Sequence, residues 1–428
     1  MKRAIVSFVL FVLLFASVFS IVWAQSATDG WTMFRHDATH AGYSTSTAPN
    51  TNQILWNYKV LLGFWSSPAV ANGKVYVGSQ DSNVYCLDAS TGNLAWKYTT
   101  GDEVSSSPAV VDGKVYVGSL DNNVYCLDAS NGDRIWNYPT GGDVLSDPAV
   151  ADGKVYVGSQ DFNVYCLDAS NGDFIWKYTT DNYVHSSPAV ANGKVYVGSQ
   201  GNNVYCLDAS TGAFIWKYTT GDEVSSSPAV ADGKVYVGSL DNNVYCLDAS
   251  TGDRIWKYTT GDKVSSSPAV ADGKVYVGSW DSNVYCLDAS NGNLAWNYTT
   301  GSAVSASPAV ADGKVYIGSQ DYKVYCLNAF TGVSIWSYIT DDPVFSSPAV
   351  ADGKVYVASF GTVYAFGPST LLGLPYEVII VAVVTAVAAI VLAALFVSRR
   401  KRNPRKQESN VSEANTQPKD GNGKPSTE

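Results

Sequence analysis

Few residues in this 428-residue chain could do chemistry, and most of those recur at a fixed interval. Seven cysteines, Cys86, Cys126, Cys166, Cys206, Cys246, Cys286 and Cys326, stand 40 residues apart. Equivalent positions of successive repeats fall in separate sheets, and an odd number cannot pair completely. Free thiols buried as small apolar groups are expected. His36 and His40 have the i, i+4 spacing that offers two imidazoles to a metal on a helix. No third ligand accompanies them, so the segment Trp31-Thr-Met-Phe-Arg-His-Asp-Ala-Thr-His-Ala-Gly-Tyr43 reads as a packed lead-in. Turns such as Asp128-x-x-Asn131-Gly-Asp133 present oxygens, yet lack the alternating ligands and closing Glu of a calcium loop. Asp and Asn beside Gly suit a tight turn's own backbone bonds. No Gly-x-Ser-x-Gly, His-Glu-x-x-His or phosphate loop occurs, and His185 is the only histidine within the repeats. Neither a cofactor nor a metal is expected.

The more informative residues are those where the repeats disagree. Residues 101–140 and 221–260 differ at only four positions, so the framework is held nearly constant. Departures concentrate in the loop before each Pro-Ala-Val and in the turn before each Val-Tyr-Cys-Leu. The first carries Trp65, Leu145, His185 and Phe345 where other copies have Ser. The second carries Trp280 and Phe360 in place of Gln or Leu, and Phe162 and Tyr322 in place of Ser or Asn. Aromatics clustered on one face mark binding sites. Trp65, His185, Trp280, Tyr322, Phe345 and Phe360 are therefore the candidate binding face; the competing reading is that those at the seam fill irregular packing.

These loops are positioned by the repeat itself. Its Pro falls at Pro68, Pro108, Pro148, Pro188, Pro228, Pro268, Pro308 and Pro348, and a fixed period of this size means a repeat architecture. Each unit holds four candidate strands. Asn-Gly or Asp-Gly between Pro-Ala-Val-Ala and Lys-Val-Tyr-Val-Gly is a type I′ hairpin signal. Val75-Tyr76-Val77 and Val84-Tyr85-Cys86-Leu87 are apolar at successive positions, so both faces of these strands must be covered. Sheets stacked radially, each between two neighbours, meet that demand. A helical solenoid would need a 3.6-residue apolar spacing that is missing here.

The phrase Val-Tyr-Cys-Leu-Asp-Ala-Ser-Thr-Gly-x-x-x-Trp resembles the repeat of the pyrroloquinoline-quinone (PQQ) propeller family, over roughly residues 31–366. The resemblance implies that Trp56, Trp96, Trp136, Trp176, Trp216, Trp256, Trp296 and Trp336 dock against the neighbouring blade. Eight Pro-Ala-Val strands are followed by only seven Trp strands, because the chain leaves the domain after Phe366. The missing one lies upstream at Trp56-Asn57-Tyr58. The expected fold is all-β: an eight-bladed propeller of four-stranded blades closed by an N-terminal strand, plus one C-terminal transmembrane helix. The family's quinoprotein dehydrogenases use an adjacent Cys-Cys disulfide, a calcium site and a catalytic Asp. No Cys-Cys pair stands in this sequence and no insertion interrupts the repeats, so no enzyme is expected.

In chain order, residues 1–24 read as a signal peptide, Lys2-Arg3 preceding an apolar run that ends at Val22-Trp23-Ala24. The lead-in covers 25–52, the propeller 53–367 and a linker 368–377. Residues 378–397 carry no charge, and 20 helical residues span about 30 Å, the thickness of a bilayer core. Arg399-Arg400-Lys401-Arg402 follows, which places the polar, disordered tail 398–428 in the cytoplasm. Setting aside the ten basic residues of leader and tail and the tail's four acidic ones, the outer part is left at −16. That charge argues against nucleic acid as a partner. Asn297-Tyr-Thr299 is a glycosylation sequon.

The whole reads as a non-enzymatic, membrane-anchored extracellular scaffold, monomeric, binding a protein or glycan at one propeller face. It resembles archaeal cell-surface proteins in layout, and in role the propeller subunit of the bacterial outer-membrane barrel-assembly machinery. A PQQ- or calcium-binding redox protein and a structural cell-envelope component are the alternatives. The cysteine reading is checked by alkylation: the native protein should leave all seven thiols unlabelled, and complete labelling should require denaturant.

Overall fold

The computed structural model describes residues 29–60, 62–368, 370–371, 374–375, 384–386 and 388–393. The chain divides into two units, Met1–Pro368 and Ser369–Glu428. In the first, β1 (Tyr43–Ser44) and β2 (Ile54–Lys59) precede blade one, which comprises β3 (Ala69–Ala71), β4 (Lys74–Gly78), β5 (Asn83–Asp88) and β6 (Leu94–Thr99). Each strand pairs antiparallel with the next. Blades two to seven repeat the plan. Asn72 and Gly73 both have positive φ, 51° and 71°, as a type I′ hairpin demands. Val75, Tyr76 and Val77 are buried, as are Val84 to Leu87, so both faces of the middle strands are covered.

Blade eight has only Ala349–Ala351, Lys354–Ala358 and Thr362–Phe366 of its own. Its fourth strand is β2, with Trp56 opposite Ala365 and Tyr58 opposite Val363. The seam is closed by the start of the chain, as the strand count requires.

Neighbouring blades are joined by one interlocking contact. Each Trp indole donates to the carbonyl of an Ala in the next blade: Trp56 to Ala89, Trp96 to Ala129, Trp176 to Ala209 and Trp296 to Ala329, at 2.9 to 3.1 Å. Trp136, Trp216 and Trp256 do the same at 3.2 to 3.3 Å. The indole lies on a Gly of that same neighbour. A Cβ on Gly212, whose φ is +70°, would fall 2.7 Å from the Trp176 ring, so the position admits only glycine. The hydroxyl of Tyr76 donates to the Ala129 carbonyl as well. Trp336 has no eighth Ala turn ahead of it and donates instead to Pro49 of the lead-in at 3.4 Å, where Tyr316 also donates at 2.9 Å.

The cysteines sit between these Tyr and Trp side chains, Cys86 being opposite Tyr76 on one strand and Trp96 on the other. All seven are free and buried. Burial pushes the Cys86 thiol up to about 11 and that of Cys126 up to about 12, which keeps them protonated and unreactive.

In the second unit Thr370–Leu371 pairs with Leu374–Pro375, and residues 384–386 and 388–393 are helical. No helix among the described residues is long and apolar enough to cross a membrane. The expected leader 1–24 and tail 398–428 lie outside the described residues, as does much of 378–397.

If β2 is a full blade strand, Trp56→Ala and Trp176→Ala should destabilise alike, each by about 3–5 kcal/mol for a buried Trp. Chemical denaturation checks this; a cost at Trp56 near zero would mean that the seam closes without it.

Candidate functional site

The two variable connections meet at one rim. The backbone of each turn donates to the loop between blades: Gln80 N to Gly63 O, Gln160 N to Asp143 O, Gln200 N to Tyr183 O and Trp280 N to Lys263 O, at 2.9 to 3.0 Å. Eight such links make a continuous surface on which single positions can change without disturbing a strand.

At the seam, Trp65 is 51% exposed and stacks on Phe345 of blade eight, with ring centroids 5.8 Å apart and planes inclined by 25°. Phe360 is exposed beside them. Its ring lies so close to Gly63 that a Cβ there would meet it at 2.6 Å. The remaining candidates fall elsewhere on the rim. His185 sits between blades three and four, its Nδ1 2.9 Å from the Gln200 amide and its Nε2 3.1 Å from that of Gln160. Burial lowers its pKa. Trp280, exposed on blade six, donates from Nε1 to Ser265 Oγ at 2.8 Å and carries the Lys263 ammonium 5.6 Å above its ring. Tyr322 is exposed on blade seven. The six therefore form one pair-plus-one at the seam and three separate positions. Tyr183 is a residue that sequence reasoning missed: it stacks parallel to His185 at 6.0 Å and meets Phe162 at 5.2 Å. The signal was available, since Tyr183 stands where blades two and five have Glu103 and Glu223.

From the side opposite this rim the central channel is filled by the lead-in. Carbonyls of Trp31, Thr32, Ala38, Thr39, Ala41 and Gly42 accept from Val70, Val110, Val190, Val230, Val270 and Val310 in turn, at 2.6 to 2.9 Å. The segment thus winds past six inner strands and ends in β1, which pairs parallel with Ala309–Ala311. Arg35 is fully buried there and donates to the carbonyls of Pro268, at 2.6 Å, and Pro308. Burial brings its pKa down to about 9. His36 and His40 do not share a site. His36 pairs with Asp29 at 2.9 Å, whereas His40 is buried against Phe34 and held neutral, burial lowering its pKa to about 3. Both have positive φ, 83° and 57°, so the segment is a tight coil rather than a helix.

Above the lead-in, a ring of hydrogen bonds closes on itself. Ser67 N donates to Ser107 Oγ, Ser107 N to Asp147, Asp147 N to Ser187 Oγ, and so on through Ser227, Ser267, Ser307 and Ser347, whose N returns to Ser67 Oγ at 2.9 Å. Asp147 is the one carboxylate among seven serines. Burial holds its pKa up at about 6, opposed by bonds from Ser107 and Ser187.

The other recurrent acids serve turns. Asp128 Oδ1 accepts from Ser130 N at 2.8 Å, and Asp208 Oδ1 from Ser210 N and Thr211 N. Asp121 accepts from Tyr125 and from Gly101 N of the preceding loop. Blade four exchanges this last pair. Gly201 stands at the Asp position and Asp181 at the Gly position, and Tyr205 and Asn203 donate to Asp181 instead. The carboxylate occupies the same place from the other side.

An eight-bladed β-propeller with a Trp-docked, strand-exchanged seam defines the class of protein. The family this chain matches is that of the PQQ-like β-propellers. The profile described as "Outer membrane protein assembly factor BamB" matches residues 40–180 and 139–221, and that described as "Beta-alanine-activating enzyme, beta-propeller" matches 194–371. No curated protein matches the chain. Among solved structures it is similar to BamB from Moraxella catarrhalis (20% identity, TM-score 0.65, covering 74% of this chain and 98% of that one). It is also similar to a europium-containing methanol dehydrogenase (16%, 0.68, 78% and 90%) and to quinohemoprotein alcohol dehydrogenase from Comamonas testosteroni (17%, 0.69, 82% and 83%). At these identities the likeness is one of fold.

Asp147 gives a test of the ring. Its folded pKa lies above the ordinary 3.8, so the folded state holds a proton that the unfolded chain has released between about pH 4 and 6, and stability falls as pH rises through that window. Asp147→Ser, which restores the residue of the other seven blades, should stabilise the protein at pH 7 by about 2–3 kcal/mol. The gain should vanish below about pH 4, as read by denaturant titration at several pH values.

Proposed function

We propose that this protein is a non-enzymatic binding scaffold, tethered to a membrane with its propeller outside, that takes a protein or glycan ligand on the rim carrying Trp65, Phe345 and Phe360. The observation that carries this reading is the seam cluster. A tryptophan half open to water, stacked on a second aromatic and rimmed by a third, is the composition of an interface anchor. Nothing in the fold requires it there, since other blades place Ser at the same position. The tether rests on the uncharged run 378–397 and the Arg399-Arg400-Lys401-Arg402 cluster that follows.

A second reading, a quinone-dependent redox enzyme, is favoured by the fold's likeness to the two dehydrogenases. Against it stand the absence of a Cys-Cys pair from the sequence and the burial of all seven thiols at one repeat position. Supplying the quinone with calcium and following dye reduction separates the two; turnover would favour the enzyme.

Trp65→Ser/Phe345→Ser/Phe360→Ser tests the scaffold. The full-length variant in detergent should keep its melting temperature within a few degrees. It should lose the partner that the wild type captures from envelope extract by at least about 30-fold, the loss of one hot spot of about 2 kcal/mol. Unchanged capture would overturn the assignment of the rim, and unfolding would assign the aromatics to packing.

A further inference from the structure

A second place on this rim is built at some cost to the backbone. The turn residue before Val-Tyr-Cys-Leu is left-handed in every complete copy: Ser82, Asn122, Asn202, Asn242 and Ser282 have φ between 64° and 72°. Asn is among the residues that tolerate that conformation, and a bulky side chain there is an outlier. Phe162 nonetheless holds φ 72° and Tyr322 φ 68°. Phe162 gains little by burial in return, being 40% exposed, and Tyr183 beside it is 41% exposed. A strained backbone kept for a side chain left this exposed points to function.

The surroundings define the chemistry. Phe162, Tyr183 and His185 run side by side, with centroids 5.2 Å and 6.0 Å apart. The Gln160 and Gln200 amides hold His185 from either side, and each keeps hydrogen-bonding capacity to spare. Residues 142–145, 159–163, 179–185 and 199–203 of this rim contain no Lys or Arg, and Lys217 is paired with Asp181 at 3.7 Å, so an anion finds no free counter-charge. Two of the nearby carboxylates are engaged, Asp161 by Tyr165, Asn163 N and Gly141 N, and Asp181 by Tyr205 and Asn203. What remains is aromatic surface beside neutral amides, with the Asp143 carboxylate also near His185. That pairing suits a ligand with an apolar ring face and a hydroxylated edge.

We propose that Phe162, Tyr183 and His185 form a subsite for a neutral oligosaccharide, a sugar ring lying on the aromatic pair and its hydroxyls bonded by Gln160 and Gln200. This deepens the scaffold reading and rests on it for the choice of rim, but it uses different blades from the seam cluster. Phe162→Asn, Tyr183→Glu and His185→Ser each install the residue that blades two and five carry at that position, so the framework accepts them.

The test is calorimetric titration of the full-length protein in detergent with cellohexaose, maltohexaose and chitohexaose. At least one should bind, and Phe162→Asn/Tyr183→Glu should weaken it at least tenfold while the melting temperature stays level or rises. The inference is overturned if none of the three binds, if the double variant binds equally well, or if a cationic peptide binds in their place. A lower melting temperature in Phe162→Asn alone would also overturn it, by showing that the aromatics pack for stability. The seam triple variant should keep the sugar. Sugar binding lost there and kept in the double variant would move the ligand to the seam, sinking this subsite while leaving the scaffold intact. Loss of the envelope partner's dependence on the seam would do the reverse.

Discussion

A ring of identical wedges is stable only if the last meets the first, and in this chain the meeting is made by one contact repeated round the circle. An indole from the outer strand of one blade lies on a left-handed glycine of the next and donates to an alanine carbonyl there. A Trp so placed removes about 150–250 Å² from water. Because the contact runs from each blade to its neighbour, none of the eight can be lost without leaving an edge. Exposed sheet edges invite other chains to pair with them. Trp336 of blade seven packs on Phe366 of blade eight but finds no Ala carbonyl there, and the lead-in supplies Pro49 as the substitute acceptor.

That substitution explains the path of the N-terminal segment. Before its strand reaches the outside of blade eight, the lead-in has passed six inner strands, filled the channel and buried Arg35 against two proline carbonyls. An inner strand would otherwise leave its Val N–H groups without partners, a cost of about 1–3 kcal/mol each. The same segment therefore closes the ring at its circumference and satisfies it at its axis. With the axis occupied from one side, variation is confined to the loops of the opposite rim, where each position hangs from a turn that the framework holds by backbone bonds.

Much of this was legible beforehand. The 40-residue period, the Asn-Gly and Asp-Gly hairpins and the count of Trp strands led to eight blades and an exchanged strand, because each feature is local or depends only on counting. The candidate binding residues were legible as departures from the repeat, and Trp65 and Phe345 do meet across the seam. Their grouping was not legible. Trp280 and Tyr322 share the rim with them without joining them, since a repeat gives the height of a residue in its blade but not its reach around the ring. Tyr183 escaped notice for a related reason: its significance comes from Phe162, 21 residues away, and from a stack with His185 that only the loop's shape produces.

The sequence by itself determined the blade, its turns, its buried thiols and the number of copies, since these follow from alternation, left-handed turn residues and arithmetic. Tertiary structure alone decided what the odd residues do. His36 and His40, spaced for a helix, lie in a coil because the channel's inner strands dictate the backbone path. Asp147, one letter among seven serines, is a member of a closed hydrogen-bonded ring because residues 40 apart become neighbours once the circle shuts. Asp181 and Gly201, each out of place alone, compensate one another because the loop entering blade four folds against that blade's own turn, so that a carboxylate from either side reaches Tyr205.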